Sequence, residues 1–492
     1  MEMQKRMFHY VNNAVIYKIV NIVNTFDAQI SRNLKDSGFQ TRPAKSNGLW
    51  CCTLLPAVLI TYSLQYKPSL LYNLVAYASV GLLCYCLLFI IFISLSCLVL
   101  KEITYGGCMA SSLIVTLLLY IFLGQGLSFS LMYSLPQVYL FTTLLRVSLT
   151  KCPKTFTVGE AMVVVQSIVL FTGAVATKLI FKLDDDVDEE MEFISTIVFT
   201  LLSTVGLIVT ALYLLGDEYR NMQALWSVIG IGAVYALIVL HVCLGNACIF
   251  KILHYIFMNK NRAQLCTFWL SMVVISAVVM LVRTKLAVKA TTVTRKTFHV
   301  LASLVFMSGI LTDVHLMTLA AGVGLGLLIL VEAIRKLEIE PISKPLESSF
   351  QVYSDEKDAG TFAMTPLYLY AGLAGPLVLV PRHAGSRLEL LGGVLATGVG
   401  DTAASWFGSR YGFNKWPGGQ KTFEGTAFNI ISQVATVRVL EMFDLLHVRN
   451  GLLRATFAAT VTGLVEARTD QVDNLILPLV NLLAFQATWF LC

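Results

Sequence analysis

The chain has 492 residues, of which 56% are hydrophobic and only 13% charged. Ordinary soluble domains carry about 25% charged residues, so these charges are too few to cover a water-soluble body of this size, and such hydrophobicity also excludes a disordered chain. The net charge of +6, from 36 Lys and Arg against 30 Asp and Glu, is small and dispersed, and the basic stripe with interleaved aromatics that nucleic acid needs is missing. The fold class implied is all-α, a polytopic integral membrane protein.

Residues 1–48 are polar and hold no apolar core before Leu49, which predicts a cytosolic segment and no cleavable signal peptide. A helix needs about 20 apolar residues to cross the hydrocarbon. Candidate spans fall at 49–65, 74–100, 108–123, 125–146, 160–182, 191–215, 224–250, 264–287, 298–311, 315–336, 362–381, 388–407, 425–446, 451–467 and 473–492, about fifteen transmembrane helices in all. The run 298–311 is short, and 108–123 and 125–146 are barely separated, so re-entrant or merged segments would change the count by one or two. With the N-terminus in the cytosol and sides alternating, most Lys and Arg fall on the cytosolic side, among them Arg146, Lys151, Lys154, Arg283, Lys285, Lys289, Arg295 and Lys296.

The acidic run from Asp184 to Glu190 falls on the opposite side and reads as a solvated loop, with a cation site as the alternative. No internal repeat of the kind many transporters carry is visible. The eleven cysteines form no C-x-x-C pair, and no zinc set gathers around His241 and Cys243, so they read as small buried hydrophobes.

Three regions follow: the segment 1–48, membrane helices over 49–290 without evident chemistry, and a polar-rich membrane region over 291–492. In the last, polar residues gather at helix ends that the alternating topology puts on the cytosolic face. The main cluster runs from Gly398 to Thr426. Asp401 lies inside an apolar span, where an ionised carboxylate needs a partner, and a metal cation is a natural one. Small residues at Gly398, Gly400, Ala403, Ala404, Gly408 and Gly412 keep one helix face thin, for a ligand or for a helix-packing notch. The loop that follows supplies Lys421, suited to neutralising phosphate, and Glu424; it is no P-loop, because Gln420 stands where that pattern needs Gly.

A second cluster puts Glu466, Asp470 and Asp473 within eight residues, at the same face as Lys421, as for metal or phosphate ligation. In a third, Arg295 and His299 share a helix face that could bind an anion or anchor the helix at the positive side. Glu332 with Arg335, and the loop around Asp355 to Gly360, fit a surface ion pair and a solvated loop.

The stretch Asp401-x-x-Ala404-x-x-x-Gly408-x-x-x-Gly412 followed by Lys421-Thr422-x-Glu424-Gly425 resembles the nucleotide-binding signature of the CTP-dependent polyprenol kinases and CDP-diacylglycerol synthase-like cytidylyltransferases. Within that superfamily the dolichol kinases are most similar, with added support from Arg295-Lys296-x-x-His299, the run Leu367 to Pro376, and Glu466 with Asp473 and Asn474. The resemblance covers about residues 290–492; Gln420 departs from it, standing where the family often has a second basic residue.

The resemblance implies transfer of the γ-phosphoryl group of CTP to dolichol, giving dolichyl phosphate for glycan assembly at the endoplasmic reticulum membrane, with the site facing the cytosol. It implies a CTP site of Gly398, Gly400, Asp401, Thr402, Ala404, Gly408, Gly412, Lys421, Thr422, Glu424, Gly425, Arg295 and His299. It implies Mg²⁺ on Asp401 and Asp473, charge stabilisation by Lys421, and Glu466 or Asp470 as acceptor of the alcohol proton. The expected partners are CTP, dolichol and the bilayer, with a homodimer plausible and nucleic acid excluded. The alternatives are another CTP-dependent lipid-alcohol kinase, a cytidylyltransferase, or a transporter, which would carry ionisable residues along a pathway in both halves.

Overall fold

In hydrocarbon every backbone N–H and C=O must be satisfied internally, so apolar runs of this length become helices. The computed structural model describes residues 22, 24–66, 68–95, 100–181, 189–286, 289–354, 356–358, 360–381 and 387–491. Asp184, Asp185, Asp186, Val187 and Asp188 of the acidic run, Asp355 and Ala359 of the later loop, Cys97, and most of 1–23 lie outside the described residues.

The described residues are all-α, with one isolated bridge between Lys415 and Thr422. Seventeen helices are labelled here: α1 (Leu54–Tyr66), α2 (Leu70–Leu95), α3 (Leu100–Leu123), α4 (Leu127–Lys151), α5 (Val158–Phe181), α6 (Glu189–Leu214), α7 (Met222–Leu244), α8 (Cys248–Phe257), α9 (Lys260–Lys285), α10 (Thr292–Thr312), α11 (Val314–Lys336), α12 (Ser343–Tyr353), α13 (Met364–Leu379), α14 (Asp401–Tyr411), α15 (Phe423–Met442), α16 (Gly451–Arg468) and α17 (Asp473–Ala487). Eight helices among the described residues are long and apolar enough to cross a membrane.

Local chemistry sets several of these ends. Thr157 and Glu160 form a capping box at α5, each side chain accepting the other's backbone N–H, at 3.3 and 2.9 Å. Asn221 caps α7 and Asp313 caps α11, each accepting a backbone N–H at 2.9 Å. The two barely separated spans are distinct helices, α3 and α4. The span expected at 224–250 is broken instead: Gly245, at φ 76°, ends α7, and α8 starts afresh. The short run 298–311 belongs to a 21-residue helix, α10, whose first turns carry the polar residues that hydropathy discounts.

By packing, the chain divides into two units, Met1–Pro56 with Tyr77–Leu170, and Ala57–Ala76 with Phe171–Cys492. In the first, α3 packs along α4, and Arg42 and Glu160 form a buried ion pair at 2.6 Å. In the second, α6 packs on α7 and α11, while α10, α13, α15, α16 and α17 surround a π-helical segment, Val394–Gly400.

Small residues permit these approaches, as is usual where packing rather than hydrophobicity joins membrane helices. A Cβ at Gly322 would lie 2.7 Å from Val198 on α6, and one at Gly372 would lie 2.2 Å from the Asn474 carbonyl on α17. Packing therefore divides the chain near residue 170, whereas the chemistry concentrates after residue 291.

Candidate active site

Asp401 is the first residue of α14 and follows directly on the π-helix, whose wider turns shift the phase of everything after them. It is 4% exposed. Lys296 on α10 donates to its Oδ2, and the Ser405 hydroxyl lies 3.5 Å from Oδ1. Lys421 arrives from the loop between α14 and α15. Its Nζ donates to the Glu466 main-chain oxygen at 2.6 Å, and it meets Glu466 Oε1 at 2.8 Å and Asp473 Oδ1 at 3.2 Å. Burial alone would lower the Lys421 ammonium, but the carboxylates of Asp473 and Glu466 outweigh it and hold the group well above the ordinary lysine range.

The result is a convergence from four elements. One carboxylate oxygen each from Asp401, Glu466 and Asp473 lies within 4.8 Å of the others. Asp470 is outside this group and accepts from its neighbour Gln471 at 3.2 Å. Around the cluster lie polar atoms with nothing to bond. Both ring nitrogens of His299, Asn474 Oδ1 and Thr402 Oγ1 are buried and unpaired. His299 is 5% and Asn474 6% exposed. Buried polar groups are otherwise almost always satisfied, so unpaired ones beside converging carboxylates mark where a ligand binds.

The loop holding Lys421 is braced by its own side chains. It doubles back at Gly418, where φ is 74°, and Lys415 pairs with Thr422. Trp416 stacks on Phe423 at 3.8 Å and donates to Thr426 Oγ1 at 3.0 Å, with Arg468 over its outer face at 5.1 Å. Glu424, expected in the nucleotide site, accepts instead from the Asn414 side chain at 2.7 Å and its backbone N–H at 3.2 Å. Its own backbone N–H above all, with the Asn414 and Phe413 groups, holds its carboxyl below the ordinary range. Thr422 caps α15 by accepting from Gly425 N at 3.1 Å.

The glycine pattern resolves into helix packing. A Cβ at Gly412 would stand 2.3 Å from the Gly408 carbonyl and 2.6 Å from Thr422 Oγ1; one at Gly425 would stand 3.2 Å from the Ala404 carbonyl. Ala404, Gly408, Gly412 and Gly425 thus form the notch in which α14 crosses α15. Gly398 and Gly400 likewise admit Ser303 of α10 at 1.9 Å and Asn429 of α15 at 2.6 Å from an added Cβ.

Two lysines escaped the sequence reading. Lys296 is three residues from His299, so the same helical spacing that linked Arg295 to His299 pointed to it as well. Arg295, its neighbour, is half-buried. Lys357 Nζ is 3.8 Å from Asp473 Oδ2. The loop carrying Lys357 is pinned: Asp358 accepts from Thr365 N at 3.1 Å, Glu332 accepts from Ala363 N at 2.7 Å, and Arg335 joins Glu332 to Glu347. The pair Glu332–Arg335, expected as a surface feature, braces this loop.

Charged groups also gather away from this site, contrary to the expectation of one polar face. At the far end of α10, Arg262 bridges Glu190 and Asp313, with His315 3.5 Å from Glu190. Within the helices, Arg454 and Glu389 form an ion pair, both fully buried, and Tyr62 donates to Glu389 at 2.8 Å. Neither was legible, because each joins partners far apart in the chain.

The sequence model of the family described as "Dolichol kinase" matches residues 74–369. The chain is 30% identical to the dolichol kinase of Mus musculus over 79% of this chain and 76% of that one. It is 28% identical to that of Bos taurus over 79% and 75% of the two chains, and 29% identical to that of Homo sapiens over 72% and 69%. No solved structure matches. The family match takes in Lys296, His299 and Lys357 and ends before Asp401, so the helices before residue 290 carry family sequence rather than generic membrane spans.

Proposed function

The chain belongs to the dolichol kinase family, and on that premise we propose that it transfers the γ-phosphoryl group of CTP to the terminal hydroxyl of dolichol, releasing CDP and dolichyl phosphate. The observation that carries the reading is the meeting of Asp401, Glu466 and Asp473 with Lys421 at helix ends. Phosphoryl transfer asks a protein chiefly to position two reactants and cancel charge on the group in flight.

A divalent cation fits these donors, because they are hard carboxylate oxygens with unpaired buried polar atoms of His299 and Asn474 beside them. Asp401 and Asp473 would hold Mg²⁺, which when bound neutralises phosphate charge. Lys421 supplies positive charge to the equatorial oxygens of the transferred group. Glu466, whose carboxylate bonds Lys421 in the resting site, accepts the alcohol proton as the new oxygen–phosphorus bond forms and the bond to the β-phosphate oxygen breaks. Its place in the cluster favours it over Asp470. Polyprenols stay in the bilayer, so their hydroxyl must reach a nucleotide at the membrane face. The Lys and Arg distribution makes that face cytosolic, in the endoplasmic reticulum membrane, where dolichyl phosphate serves glycan assembly.

The test is an assay in membranes lacking their own lipid kinases, supplied with dolichol, Mg²⁺ and γ-labelled CTP, with γ-labelled ATP in parallel. Lipid label from CTP, lost in Asp401→Ala, is expected. Label from ATP alone would overturn the donor. Release of pyrophosphate with a cytidylated lipid would make the chain a cytidylyltransferase.

A further inference from the structure

Building on the cation site of the preceding reading, we propose that Lys296 is a further ligand-binding residue, which holds the Asp401 carboxylate in the resting enzyme and passes to the nucleotide's phosphates when a divalent cation takes its place. The resting cluster is close to neutral within itself. Lys296 pairs with Asp401, and Lys421 pairs with Glu466 and Asp473. The Lys296 side chain is only 12% exposed and that of Asp401 5%. A carboxylate so buried cannot lose its cation to bulk water, and an ammonium so buried cannot lose its anion, without a large desolvation cost.

The exchange therefore needs two arrivals. A cation alone can take Asp401 only by evicting Lys296 into a place with no anion. A triphosphate alone can recruit Lys296 only by stranding Asp401. A cation bound to a triphosphate supplies both partners at once, and a lysine on its flexible four-carbon stem can swing between them. By linkage, cation and nucleotide must then strengthen each other's binding by one common factor. An independent sign that the site is built for a ligand lies one turn along α10. There His299, 5% exposed and beside Asp401 and Asn474, leaves both ring nitrogens unpaired.

Mn²⁺ binding, followed by electron paramagnetic resonance on the purified full-length protein, separates the possibilities. It is measured with and without a non-hydrolysable CTP analogue. Wild type is expected to bind Mn²⁺ weakly alone and tightly with the analogue. Lys296→Gln is expected to bind Mn²⁺ alone about tenfold more tightly than wild type and to lose most of the gain from the analogue. Equal affinity for Mn²⁺ alone in both, with binding lost in Asp401→Asn, would overturn the role of Lys296 and leave the cation site standing. Mn²⁺ binding that survives Asp401→Asn in both backgrounds would overturn the cation site itself. If the glutamine variant does not accumulate, Lys296→Arg decides. Its planar fork grips a carboxylate through two oxygens, so a roughly tenfold loss of Mn²⁺ affinity supports the exchange, and wild-type affinity refutes it.

Discussion

Lys421 reaches Glu466 twice, through the carboxylate at 2.8 Å and through the main-chain carbonyl at 2.6 Å, and so ties the loop before α15 to the last turn of α16. The carbonyl contact fixes where the ammonium sits, and the carboxylate contact holds the charge that transfer needs. Lys421→Met should lower kcat about 100-fold or more, as expected when a preorganised charge is removed. Lys421→Arg should lose at least about tenfold, because a guanidinium does not replace a compact ammonium. Lipid-label assays on equal amounts of membrane protein check both.

Asp401→Asn keeps the shape of the side chain while removing its charge. Transfer should become undetectable while the protein still accumulates in membranes. Loss of the protein itself would make the residue structural.

Glu424 braces the Lys421 loop through Asn414, so Glu424→Ala should act on nucleotide affinity. The KM for the nucleotide should rise about fivefold, with kcat changed less than twofold, since a lost brace weakens binding more than chemistry. A collapse of kcat with unchanged KM would put Glu424 among the reacting groups.

The α14–α15 notch separates packing from ligand binding. Gly412→Val places atoms against the Gly408 carbonyl and Thr422, and overpacking of this kind costs about 1–3 kcal/mol. The detergent-solubilised protein should melt earlier, while the surviving fraction keeps its nucleotide KM. A raised KM at unchanged melting temperature would return the glycine to the binding site.

Arg454 and Glu389 form a fully buried pair, so breaking it from one side should cost about 3–5 kcal/mol and sharply reduce accumulation. The double variant Arg454→Met with Glu389→Gln should recover much of that loss, because no charge is left stranded. Accumulation after blotting, in single against double variants, measures this.

The reactive residues were legible for one reason. Asp401, Lys421, Glu466 and Asp473 stand at the edges of apolar runs, where a charge is costly unless it works. Sequence alone could not say what faces a glycine, so Gly408 and Gly412 read equally as ligand approach or helix approach until α15 was seen opposite them. Arg454 and Glu389 were invisible because neither reveals a partner 65 residues away. The break at Gly245 was hidden because hydropathy continues unchanged across it.

The π-helical stretch Val394–Gly400 has a consequence for insertions and deletions. A wider turn is, in effect, one surplus residue wound into a helix, and it sets the azimuth at which the chain leaves that turn. Removing any one residue there would let the coil tighten to the ordinary pitch and rotate all that follows by about 100°. Asp401 would then face the neighbouring helices instead of Glu466 and Asp473, with its identity untouched. In this helix the carboxylate's aim is encoded by how many residues precede it, and a frame-preserving loss of one of them would silence the site as surely as a substitution.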